Sequence, residues 1–154
     1  MKIPSADHKD ILLAALQERY SAVHTIRERV QTVALWVLGL LVAGAGWFFQ
    51  SDICIGLIEK MVLAFFAFAI WMVIKFFYFK DLEKGFNSQR VVLAKIEEAL
   101  GFFEKSYFTN KDEALYPESW KKSGQKNCEG NFMKNNYNLV ALGFLIFVVA
   151  VFFF

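Results

Sequence analysis

Residues Met61–Phe79, MVLAFFAFAIWMVIKFFYF, form an apolar run in which Lys75 is the single charge. Nineteen residues of helix rise about 28 Å, close to the thickness of a bilayer's hydrocarbon core. Two similar runs flank it, Val33–Phe49 and Leu139–Phe154. A water-soluble fold of 154 residues would not place three such runs in its core. The sequence therefore predicts an all-α integral membrane protein with three transmembrane helices, at about 33–49, 61–79 and 137–154.

The placement of Lys and Arg predicts the orientation. Lys2, Lys9, Arg19, Arg27 and Arg29 precede the first span, whereas the short connection Gln50–Lys60 holds only Lys60. The long connection Lys80–Asn136 carries ten Lys and Arg residues. Basic segments alternate with the poor one, as three spans require. The N-terminus and residues 80–136 are thus expected in the cytoplasm, as a helical layer, and the short connection and Phe154 outside. A cleaved leader is not expected, because some thirty residues of both charge signs precede the first apolar run. Net charge is only +2, which gives no basic face for nucleic acid. With Cys54 outside and Cys128 inside, neither a mutual disulfide nor a cysteine zinc site is expected. The alternative for Cys54 is a bridge between subunits in an oxidising compartment.

Ser5 and Asp7 are good helix starters, and no Gly or Pro interrupts Ala6–Leu38. Leu12, Leu16, Tyr20, Val23, Ile26 and Val30 recur every three or four residues and form one apolar stripe. This cytoplasmic helix (residues 1–30) is expected to run on into the first span. Its stripe must be covered by the long connection, by the same helix of a neighbouring subunit, or by lipid headgroups. The balanced charges of its polar face favour protein over headgroups. Leu12, Leu16, Tyr20 and Val23, with Trp120, are the residues expected to dock a partner.

The first span holds Gly39, Ala43 and Gly46. Gly39 and Ala43 make a small-xxx-small pair that lets two helix backbones approach closely in lipid, within the chain or between subunits. Trp36 and Trp47 stand near opposite ends of the span, as interfacial aromatics do. Lys75, about one turn from the inner end of the second span, is expected to reach the headgroups, the alternative being a role in a pore or lipid site. The apolar Ile53, Cys54, Ile55, Leu57 and Ile58 allow that span to start before Met61. The third span is short, with a re-entrant or interfacial anchor as its alternative.

Within residues 80–136, Asn87 or Ser88 is expected to cap a helix running to about Leu100, ended by Gly101, with Lys95, Glu97 and Glu98 on its solvated face. Phe102, Phe103, Tyr107, Phe108, Leu115, Tyr116 and Trp120 follow, too aromatic for a disordered segment, and predict a compact loop. Lys121–Gly130 is expected to be its flexible part.

The motifs of hydrolases, phosphate-binding loops, calcium loops and zinc proteases are missing from the sequence. His8 and His24 read as surface or interface residues. No acid lies within a span, so ion-coupled transport has no evident machinery. Neither enzyme activity nor a cofactor or metal is expected. What remains is oligomerisation, permeation or partner binding. Three spans are too few for a pore within one chain, so a channel requires a homo-oligomer with an apolar lining that gates by dewetting.

The polar N-terminal helix (Ala6–Val30), the close pair of spans (Val33–Phe49 and Met61–Phe79) and the following cytoplasmic helix (Asn87–Leu100) resemble the SLATT-type small membrane proteins of bacterial conflict systems. The resemblance covers about two-thirds of the chain, and the third span departs from it. It implies a homo-oligomeric effector of the bacterial inner membrane, in antiviral defence, that forms pores when a cytoplasmic protein or a small signalling ligand activates it. The other expectation is a non-conducting membrane anchor or regulatory subunit for a cytoplasmic partner.

Overall fold

The structure, a computed structural model, describes residues 6–50, 55–107, 113–125 and 131–153. Ser5, Ile53, Cys54, Phe108 and Cys128 lie outside the described residues. Among the described residues every regular element is helical: α1 (Ala6–Gln50), α2 (Leu57–Val73), a π-helical turn (Ile74–Phe79), α3 (Lys80–Ala99), a 3-10 helix (Glu118–Lys122) and α4 (Asn131–Phe153). Three helical stretches are long and apolar enough to cross a membrane: Asp7–Gln50, Leu57–Ala99 and Asn131–Phe153.

α1 is unbroken over 45 residues; no Gly or Pro interrupts it as far as Leu38, and it runs on through Gly39, Gly44 and Gly46 to Gln50. α2 begins at Leu57, where the Glu59 carboxylate accepts a 2.7 Å hydrogen bond from the Gly56 N–H. This satisfies one of the donors a helix start leaves open. The cap expected at Asn87 or Ser88 does not form. Both residues lie inside α3, which continues from α2 through the π turn. No Pro interrupts this stretch, and packing of the buried Phe79, Leu93 and Ala94 holds the helix through Gly85. α4 starts at Asn131, ahead of the stretch 137–154 that is expected to span. Its polar first turns remain helical because the buried Asn136 donates to its own Phe132 carbonyl at 2.9 Å.

The chain divides into two compact units, and α1 and the α2–α3 helix contribute residues to both. The first comprises Met1–Arg27 and Lys84–Gly130. Its core is Leu16, Val23, Leu93 and Leu100, with Leu12, Phe86, Ile96 and Phe102 packed on it. Leu16 and Val23 are seven apart, as are Phe86, Leu93 and Leu100, the spacing of a two-helix seam. Tyr20 meets Glu97 and Ile26 faces Gly85, so the two segments run antiparallel. Each fully buried Leu or Val stabilises this pairing by roughly 1.5–3 kcal/mol. α3 ends as its glycine dictates. Gly101 has φ +82°, and the Phe102 and Gly101 N–H groups donate to the Glu97 and Glu98 carbonyls at 3.1 and 3.0 Å. These are the paired bonds of a Schellman cap.

The second unit comprises Glu28–Glu83 and Asn131–Phe154. Here the C-terminal half of α1, α2 and α4 pack through Ala34, Ala45, Phe48, Val140, Ala150 and Val151. α2 meets α4 through Trp71 and Phe144, stacked at 5.9 Å. The start of α4 is tied down by Tyr137, whose ring stands edge-on to Phe79 at 5.4 Å and whose hydroxyl donates to Glu83 at 2.9 Å.

Candidate functional site

The small residues of α1 divide between two opposite faces. A helix advances 100° per residue, so Gly39, Ala43 and Gly46 fall within about 60° of one another. All three are exposed. A Cβ built on Gly39 or Gly46 meets nothing within 4 Å. On the other side, Ala34, Ala45 and Phe48 are buried. The Gly44 Cβ position lies 3.1 Å from the Phe147 ring. The close helix approach inside the unit is made at Gly143 of α4, where a Cβ would stand 2.9 Å from Leu38 Cδ1 and 3.3 Å from Leu38 Cα. The chain thus uses Gly44 and Gly143 for its own packing. It leaves Gly39, Ala43 and Gly46 as an open strip, edged by Trp36 and Trp47, which are 68% and 57% exposed. Gly143 was visible in the sequence as the one glycine of the third apolar run, but its partner helix was not.

Lys75 lies within the π turn. Its Nζ sits 4.7 Å from the Trp71 ring centroid and 5.5 Å from that of Phe76, a cation–π arrangement. Among the described residues it has no carboxylate partner.

In the first unit, the residues expected to dock a partner are split. Leu16 and Val23 are buried in the chain's own core, and Leu12 packs against it. Of the three covers open to the stripe, the long connection takes this part. Tyr20 and Trp120 remain partly exposed. Trp120 belongs to an aromatic cluster with Phe102, Phe103 and Tyr116, whose ring centroids lie 5.2–6.0 Å apart. Glu97 departs from expectation. It is not on a solvated face but 4% exposed, accepting a 2.6 Å hydrogen bond from the Tyr20 hydroxyl. Tyr116 approaches the same hydroxyl at 3.5 Å. Burial, then the hydrogen bond to Glu97, pushes the Tyr20 phenol far above its ordinary pKa. It therefore stays protonated and keeps donating. Nothing in the sequence pairs these residues, which are 77 positions apart.

Of Lys121–Gly130, expected to be flexible, residues 126–130 lie outside the described residues, and Lys121–Gln125 is the end of the 3-10 helix and a turn. Arg90 donates twice to Ser123 Oγ, at 3.0 and 2.6 Å. Lys121 pairs with Glu98 at 3.6 Å. Gly124, at φ +81°, lets the turn close on α3, since a Cβ there would stand 2.5 Å from the Asn87 carbonyl oxygen. Among the described residues, no three His, Cys, Asp or Glu side chains could hold a metal ion. His8 and His24 are exposed on α1.

Comparison of the chain with protein-family models, with curated proteins and with solved structures finds no match.

Proposed function

We propose that this chain is a homo-oligomeric protein of the bacterial inner membrane. Its N-terminus is cytoplasmic, and it acts as a channel-like or membrane-perturbing effector, without enzymatic activity. The observation that carries the reading is the open strip Gly39, Ala43 and Gly46, opposite the face that α1 uses inside its own protomer. In lipid, apolar side chains gain little by leaving the tails for one another. Close backbone approach at small residues is what favours association. Membrane insertion is supported by the apolar windows of the three long helices, which are buried within the chain to only 17%, 6% and 28%. Water would not tolerate that much uncovered apolar surface. With no acid in the apolar runs, a pore between protomers would have an apolar lining, of the kind that gates by dewetting. The first unit is the proposed receiver of the activating signal, a cytoplasmic protein or a small ligand, and antiviral defence is the proposed setting.

Crosslinking in native membranes tests the assembly, and ion flux from liposomes tests the pore. A ladder of crosslinked species with flux supports the reading, and monomer alone sinks it. The second reading is a non-conducting anchor for a cytoplasmic partner. It is favoured by the exposed Tyr107, Leu115 and Trp120 of the first unit. A stoichiometric complex with another protein, without flux, would support it.

A further inference from the structure

Between α1, α2 and α4 of the second unit lies a half-open cavity of about 240 Å³. Its lining is apolar throughout, and includes Leu41, Leu63, Ala67, Trp71, Ile74 and Val140. Apolar cavities of this kind stay dry and take up apolar guests. Two features say which guest suits this one. The first is length. Along α2 and the π turn the lining runs from Leu63 to Ile74, about 16 Å of helix, a length equal to half of the ~30 Å hydrocarbon core and so to the reach of one extended acyl chain. The second is charge. At the Ile74 end, the next residue is Lys75, whose Nζ lies on the ring of the lining residue Trp71. Among the described residues no carboxylate neutralises it. The cavity thus joins a leaflet-length apolar slot to one cation at its end.

We propose that this cavity binds one acyl chain of an anionic lipid, with the tail between Leu63 and Ile74 and the headgroup phosphate on Lys75. The π turn contributes by geometry. It begins where the slot ends, since the Ile74 N–H still bonds the Ile70 and Trp71 carbonyls of α2 and Lys75 lies inside the turn. The inference rests on the proposal that the three helices span a bilayer.

The test is native mass spectrometry of the full-length protein, exchanged into mixed micelles of dioleoylphosphatidylglycerol and dioleoylphosphatidylcholine. Wild type should retain one phosphatidylglycerol per protomer after the annular lipids are stripped. Ala67→Phe fills the middle of the slot and should retain none of either lipid. Lys75→Gln leaves the slot intact, so it should still hold a lipid while its preference for phosphatidylglycerol falls about fivefold, the worth of one Lys at an anionic headgroup. Circular dichroism checks that both variants fold. Equal retention of the two lipids by wild type, no retained lipid, or unchanged binding by folded Ala67→Phe would overturn the proposal. Occupation of the slot by a neighbouring protomer would appear as lipid-free oligomers and would overturn it too. Carbonate extraction of membranes separates the two failures. A protein released by carbonate refutes membrane spanning itself, whereas a retained protein without bound lipid refutes only the site.

Discussion

Replacing Gly39 by Leu and Gly143 by Leu should give opposite phenotypes, although both insert the same side chain into an apolar helix. At Gly143 the first added carbon already stands 2.9 Å from Leu38 Cδ1, 3.3 Å from Leu41 Cδ1 and 3.3 Å from the Leu38 backbone. The leucine methyls can swing away, but Leu38 Cα moves only if α1 does. Forcing extra carbons into such a contact costs about 1–3 kcal/mol. Replacing a mid-helix glycine returns roughly 1 kcal/mol. The protomer should therefore lose up to about 2 kcal/mol in Gly143→Leu. At Gly39 nothing lies within 4 Å, so only the favourable helix contribution remains. Gly39→Leu should leave the protomer as stable as wild type or up to about 1 kcal/mol more stable, and should abolish assembly. Denaturation in mixed micelles, followed by the fluorescence of the four tryptophans, reads protomer stability. Crosslinking in native membranes reads assembly. A Gly39→Leu protein that crosslinks like wild type, or that loses as much stability as Gly143→Leu, would show that the strip is not an assembly surface.

Tyr20→Phe removes the donor to the buried Glu97 carboxylate and should cost about 1–3 kcal/mol in the first unit, measured by hydrogen exchange of α3 amides. The raised pKa of Tyr20 carries a sign. The folded state holds this proton where the unfolded phenol, titrating near 10, has lost it. Its contribution is therefore full below about pH 10 and declines as pH rises above that. Denaturation from pH 9 to 11 should show a steeper loss in wild type than in Tyr20→Phe, and parallel curves would refute the assignment. Gly124→Ala places a Cβ 2.5 Å from the Asn87 carbonyl oxygen at a left-handed φ, so the turn should detach from α3. Limited proteolysis should then cut near residues 118–125 faster than in wild type, while α2 and α4 stay intact.

The parts of the structure legible in the sequence are those set by local pattern. Three apolar runs gave three long helices because length and hydrophobicity are local properties. Leu12, Leu16 and Val23 announced a packing stripe by their spacing, and Gly101 announced the end of α3 because its left-handed cap needs no distant partner. What depended on distant partners was not legible. Asn87 and Ser88 have the chemistry of helix caps, yet α3 runs through them, held by packing at Phe79 and Leu93. Glu97 has the composition of a solvated face, yet Tyr20 buries it. Gly39, Ala43, Gly44 and Ala45 are alike as sequence, and only the position of α4 decides that Gly44 and Ala45 turn inward while Gly39 and Ala43 stay open. The cavity is less legible still, because it is a shape left between three helices rather than a property of any one.

The mass of the particle in native-like lipid discs, by native mass spectrometry, decides whether the open strip on α1 drives assembly. The expected result is one closed homo-oligomer of roughly four or more subunits, enough to ring a pore, that collapses to monomer in Gly39→Leu. A wild-type protein that is monomeric in lipid would contradict it.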